Sequence, residues 1–258
     1  MLFNLADWFD YPMGPHLKAF LDIAENDYTG ENAPPVATER LQAFSSFLVD
    51  YFQDHKPQSA GQFVDLLEEM TSMGLSGAVI QFADFNSDQP IDGDFRACLA
   101  LGSSLMLESE LDEAAMLLRQ AQGLAPMEFA PYLNLTSIYF SMEKDEEAMN
   151  WADKGLTLDA NSPRLWEIIA SIYMYEDKTT AGEKVRAKAE ANLSYAGMSL
   201  AAELIDPNDR LLKAQLLSDA FDSGSRDDEF LIEYTAALGL AEQFEKIPQV
   251  LWRLENME

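Results

Sequence analysis

Residues 95–128 read FRACLALGSSLMLESELDEAAMLLRQAQGLAPME, and residues 129–162 read FAPYLNLTSIYFSMEKDEEAMNWADKGLTLDANS. The two blocks are equal in length, and their apolar and small residues fall in step. Cys98, Leu101, Gly102 and Leu105 of the first stand where Tyr132, Leu135, Thr136 and Tyr139 stand in the second. Ala114, Leu118, Ala121 and Pro126 likewise answer to Ala148, Ala152, Gly155 and Ala160. From Pro163 a third block keeps the register with Trp166, Ile169, Ala170, Tyr173, Gly182 and Ala189. Positions 4, 7, 8 and 11 of each block form one stripe at helical spacing. Positions 20, 24 and 27 form the stripe of a second helix, and small residues at 8 and 20 let the two helices approach closely. A single pair leaves apolar surface uncovered until a neighbour stacks on it, so such pairs come in arrays.

The spacing resembles the tetratricopeptide repeat (TPR), which sets W, L, G, Y, A, F, A and P at positions 4, 7, 8, 11, 20, 24, 27 and 32. The resemblance implies an all-α fold, a TPR-like right-handed solenoid of antiparallel helix pairs with a helical N-terminal extension. The expected organisation is an extension over 1–58, a degenerate helix pair over 59–94, three repeats over 95–196 (95–128, 129–162, 163–196), and degenerate TPR-like helices over 197–258.

Outside the repeats the reading is coarser. Pro12, Gly14 and Pro15 break any helix begun at Leu5, a second helix is expected over 16–25, and 27–35 reads as a loop. Thr38 caps a helix reaching about Asp54, with Leu41, Phe44, Phe47, Leu48, Tyr51 and Phe52 apolar. Ser59 and Gln62 have capping-box spacing ahead of Phe63, Leu66, Leu67 and Met70. Thr179 or Thr180 is expected to cap a helix carrying Val185, Ala189 and Leu193 and running on to Ile205, since only Gly197 interrupts it. Asp206 and Pro207 read as N-cap and first residue of the next helix. Asp227 or Asp228 starts the last pair, whose second helix sets Ile247, Leu251 and Leu254 on one face.

Seventeen basic and 45 acidic residues give a net charge of −28, which argues against nucleic-acid backbones and anionic membranes as partners. Much of that charge has a local cause. Glu108, Glu110, Asp112 and Glu113 precede or open one second helix, and Glu143, Asp145, Glu146 and Glu147 open the next, where the helix dipole stabilises carboxylates. The absence of a long apolar run and of a secretory leader, with the single Cys98 in a core stripe, points to a cytoplasmic protein.

Signatures of chemistry are missing. His16 and His55 lie far apart, and no metal, phosphate-loop or nucleophile-elbow motif occurs. Asp84, Asn86 and Asp88 have the spacing that opens a calcium loop, but Gln89 replaces its glycine and Phe95 its bidentate glutamate. No catalytic residue, cofactor or metal is therefore expected.

The remaining face of each first helix is formed by positions 2, 5, 9, 12 and 13. These are Arg96, Leu99, Ser103, Met106 and Leu107, then Ala130, Leu133, Ser137, Phe140 and Ser141, then Arg164, Glu167, Ser171, Met174 and Tyr175. Charge is almost absent from the first two sets. The resemblance implies that this face lines a concave groove for a peptide or helix of a partner. The TPR proteins that grip a C-terminal carboxylate use Lys at position 5 and Asn at 9, whereas here Leu99, Leu133, Ser103 and Ser137 stand there. An apolar groove is more similar to TPR chaperones and adaptors that hold apolar helices.

The partner-binding candidates are thus Arg96, Leu99, Ser103, Met106, Leu107, Leu133, Ser137, Phe140, Arg164, Glu167, Met174 and Tyr175, with Leu99, Met106, Leu133, Phe140 and Met174 expected to form one trough. Arg96 and Arg164 at its rim suit acidic flanks of a partner, and the acidic outer surface suits basic ones. The expected partner is another protein, engaged through an apolar helix or a peptide with basic flanks, without nucleic acid or membrane insertion. The alternatives are a structural subunit that covers the groove by self-association or with its own N-terminal segment, and an enzyme without recognisable signature.

Overall fold

The structure, a computed structural model, describes residues 45–46, 48–50, 52–53, 56–89, 91–175, 177–206 and 208–255. The expectations for residues 1–44 lie outside these. Within 45–53 the described residues are helical, with Leu48 and Phe52 buried. The chain divides into two compact units, Met1–Pro126 and Met127–Glu258. The first contains α1 (Ala60–Ser72), α2 (Ser76–Phe85), α3 (Phe95–Leu107) and α4 (Leu111–Leu124). The second contains α5 (Ala130–Ser141), α6 (Asp145–Leu156), α7 (Pro163–Tyr173), α8 (Lys178–Asn192), α9 (Tyr195–Leu204), α10 (Arg210–Ser223), α11 (Asp228–Leu240), a 3-10 turn at Phe244–Lys246, and α12 (Ile247–Glu255). No strand occurs among the described residues. The fold is all-α and TPR-like, as the 34-residue spacing predicts.

Short polar side chains start most of the first helices. Ser59 Oγ accepts from the Gln62 N–H, while Gln62 Oε1 accepts from the N–H of Gln58, one residue ahead of the usual capping-box donor. Asp94 Oδ1 accepts from the N–H groups of Arg96 and Ala97, Ser194 Oγ from that of Gly197, and Asp227 Oδ1 from that of Phe230. Each bond satisfies a donor that the first turn leaves free, contributing about 1 kcal/mol.

In the first unit α3 packs on α4 and also on both α1 and α2; in the second, α7 packs on α5 and α6 as well as α8, and α9 on α7 and α8 as well as α10. The predicted stripes are buried: Cys98, Leu101 and Leu105 against Ala114, Leu118 and Ala121 in the first unit, and Trp166, Ile169 and Ala170 with Val185 and Ala189 in the second. A Cβ on Gly102 would stand 2.9 Å from Leu118 Cγ, so only glycine permits that helix contact.

A second buried stripe, at positions 3, 6 and 10, escaped the sequence reading. It comprises Ala97, Ala100 and Ser104 in α3, Pro131 and Ile138 in α5, and Leu165 and Ile168 in α7. This stripe, and not only an open groove, accounts for the apolar character of the first helices.

Four local expectations differ from the structure. The helix expected to reach Ile205 stops at Asn192, where Leu193 turns left-handed at φ 50° and Ser194 caps α9. Its N-cap is Asp177, with Thr179 and Thr180 inside the first turn. Asp206 does not cap α10: its carboxylate closes a turn on the Asn208 N–H, and Asp209 caps three residues later. In α12 Val250 is buried while Leu251 is 41% exposed, and the side chain of Leu254 lies outside those described.

Candidate partner-binding surfaces

The candidate residues fall in both units. In the first unit Leu99, Ser103 and Met106 are half-buried along one face of α3, and Leu107 at its end is 64% exposed. Arg96 opens this face, but its guanidinium already has partners: Nη1 lies 2.9 Å from both Asp65 and Glu68 of α1. All three side chains stay nearly half exposed, so each bridge contributes at most about 1 kcal/mol.

In the second unit Leu133, Ser137 and Phe140 are half-buried along one face of α5. Leu133 packs on the unit's core, and the Ser137 hydroxyl donates back to the Leu133 carbonyl at 3.0 Å. Arg164 and Glu167 are exposed on α7 and pair with each other at 2.9 Å. Met174 and Tyr175, just past the end of α7, are 44% and 74% exposed.

The structure also forms a concavity that no sequence candidate marked. A pocket of about 490 Å³ opens between the starts of α7 and the bodies of α9 and α11, with Tyr195, Ala196, Ser199, Glu203, Phe230 and Glu233 among its lining residues. Counted from the observed helix start at Tyr195, Ala196, Ser199 and Glu203 are positions 2, 5 and 9 of their pair. They are the positions that the resemblance would assign to a groove on that helix. A strict 34-residue period carried on from Pro163 starts the block at 197 and selects other residues. The shorter step from Ser162 to Ser194 between N-caps hid them.

Of the other residues weighed for chemistry, His16 and His55 lie outside the described residues, while Asn86 and Cys98 have structural surroundings that explain them. Asn86 is buried with its amide donating to the Phe82 carbonyl at 2.8 Å, so it ends α2 and turns inward. Cys98 is fully buried, its thiol donates to the Ile91 carbonyl, and burial beside Asp92 and Asp94 pushes its pKa up to about 11. A thiol held there stays protonated and unreactive at neutral pH. No helix among the described residues is long and apolar enough to cross a membrane.

No family model matches the chain, and no curated relative does. Solved structures similar to it include MamA, at 17% identity and TM-score 0.46 over 64% of this chain and 92% of that one. PilF of Pseudomonas aeruginosa is similar at 14% identity and TM-score 0.43, over 80% of this chain and 92% of that one. YrrB, described as a TPR protein with an unusual peptide-binding site, is similar at 13% identity and TM-score 0.45, over 77% of this chain and 99% of that one.

Proposed function

We propose that the chain is a cytoplasmic protein-binding module of the chaperone, adaptor or regulator kind, and not an enzyme. It holds an apolar helix or peptide of a partner protein on the open faces of its first helices. The observation that supports this reading most is the chemistry of those faces. Leu99, Met106 and Leu107 in the first unit, and Leu133, Phe140, Met174 and Tyr175 in the second, keep apolar surface partly accessible. Ser103 and Ser137 between them are small and uncharged. The flanking charges of Arg96, Arg164 and Glu167 are engaged within the chain, so the faces themselves present little charge that a partner must desolvate.

The test is a pull-down with mass measurement of the co-purified protein, followed by Phe140→Glu. This variant should keep the helical content and lose binding. Burying one aromatic contributes about 1.5–3 kcal/mol, roughly ten- to a hundredfold in affinity, and a buried charge adds to the loss. Glu146→Lys, an exposed change on α6, should alter on-rate and salt dependence more than off-rate. Wild-type affinity in Phe140→Glu would remove α5 from the binding face. A concentration-dependent dimer with no co-purified partner would favour self-association instead.

A further inference from the structure

We propose that the pocket between α9 and α11 binds the guanidinium of an arginine in a protein segment, with Glu203 and Glu233 as its anionic walls and Tyr195 and Phe230 as its aromatic ones. The proposal rests on the protein-binding reading but not on the apolar faces of α3 and α5.

The pocket is the first observation. At about 490 Å³ it has the size of a built ligand site, and it lies wholly within one compact unit. Its lining joins two aromatic rings, one buried and one half-buried, to the carboxylates of Glu203, Asp227, Glu229 and Glu233. Asp227 spends its carboxylate on the Phe230 N–H as the cap of α11. Glu233 is half-buried and lies 2.7 Å from Lys213 Nζ. Glu203 and Glu229 have no cation within ion-pair distance among the described residues. Arg226, the arginine nearest in sequence, donates to the Phe221 carbonyl and stacks its guanidinium 4.3 Å from the Phe221 ring. The pocket is therefore left anionic by its own surroundings.

The position of Glu203 is the second observation. The acidic residues of α4 and α6 sit in first turns, where the helix dipole stabilises them. Glu203 sits in the last turn of α9, where the same dipole disfavours negative charge. Its side chain reaches solvent. Burial of the remainder, with Glu233 and Glu229 nearby, still holds its carboxyl above the ordinary range against the opposing pull of Lys213 and Lys178. The helix end and the neighbouring carboxylates thus disfavour a charged glutamate here, whereas a cation entering the pocket favours it.

Arginine fits better than a metal ion. Among the described residues no group of three His, Cys, Asp or Glu side chains stands close enough to hold one. Spaced carboxylates beside aromatic faces suit a planar guanidinium, which accepts several oxygen partners and stacks on rings.

The experiment uses the full chain and two labelled ten-residue peptides of alanine and leucine, one with a central arginine and its twin with citrulline, the uncharged isostere. The arginine peptide should bind saturably and the citrulline peptide at least about tenfold more weakly, the loss expected for one charged hydrogen-bonded contact. Glu203→Gln should fold as wild type and bind both peptides equally weakly, whereas Glu146→Gln, which removes the same charge from α6, should bind as wild type does. Phe140→Glu should leave this preference for arginine intact, which separates the pocket from the apolar faces. Equal binding of the two peptides, no saturable binding of the arginine peptide, or equal losses in Glu203→Gln and Glu146→Gln would each overturn the proposal. So would a dimer of wild type that Glu203→Gln dissociates, since the occupant would then be a second copy of the chain.

Discussion

Trp166 is 1% exposed, and its indole N–H donates to the Ala160 carbonyl at 2.9 Å. The ring also lies against α9, where a Cβ on Gly197 would stand 2.7 Å from Cε2 and Cζ2. The indole therefore joins one pair to the next. Trp166→Ala should cost about 3–5 kcal/mol, read from chemical denaturation with an unchanged m-value. A cost below about 0.5 kcal/mol, the range of ordinary surface substitutions, would mean that the indole does not fill this contact. Gly197 shows the opposite kind of residue. In the sequence it reads as a helix breaker, yet it sits inside the first turns of α9 because only a hydrogen fits beside the indole and Ala189.

At the scale of elements, the turns inside the pairs repeat a single device. Ser109, Glu143 and Glu242 adopt positive φ at 67°, 58° and 60°, and Gly74 does so at 72°. In each of the first three, the following N–H reaches back to close the helix: Glu110 to Leu105, Lys144 to Tyr139 and Gln243 to Leu238, all at 2.9 Å. This is the Schellman arrangement, which glycine favours. A Cβ in that conformation costs about 1–2 kcal/mol, against roughly 0.5–1 kcal/mol for the extra chain freedom of glycine. Glu143→Gly should therefore stabilise the protein by about 0.5–1 kcal/mol, raising the midpoint of a denaturant titration. A lower midpoint would mean that the glutamate side chain makes a contact that outweighs the strain. Leu193 uses the same left-handed turn between α8 and α9, and it is there that the expected continuous helix fails.

For the whole molecule the dominant fact is a net charge of −28. Several of the described cations sit in ion pairs, among them Arg96 with Asp65 and Glu68, Arg186 with Glu190, and Lys213 with Glu233. Most carboxylates among the described residues have no such ion pair, so self-repulsion opposes the compact state and salt screens it. Raising sodium chloride from about 20 mM to about 500 mM, which shortens the screening length below about 10 Å, should raise the melting temperature. A melting temperature that falls with salt would show that the exposed ion pairs outweigh the repulsion.

The sequence by itself determined the helix pairs of the clear repeats and the residues between them, because a buried stripe and a close helix contact each demand a residue type at a fixed interval. Leu101, Gly102, Leu118 and Trp166 were legible for that reason. It also marked the uncharged faces of α3 and α5, since a missing charge is visible without coordinates. Only the tertiary structure decided three other things. The stripe of Ala97, Ala100 and Ser104 is buried because α3 meets both helices of the preceding pair, and alanine and serine do not announce burial. The partners of Arg96 come from α1, about thirty residues away in sequence, and no local pattern selects them. The pocket around Glu203 required the true start of α9. That start follows from a leucine in a left-handed turn, a conformation uncommon for leucine, just ahead of the close packing of Gly197 on Trp166 and Ala189.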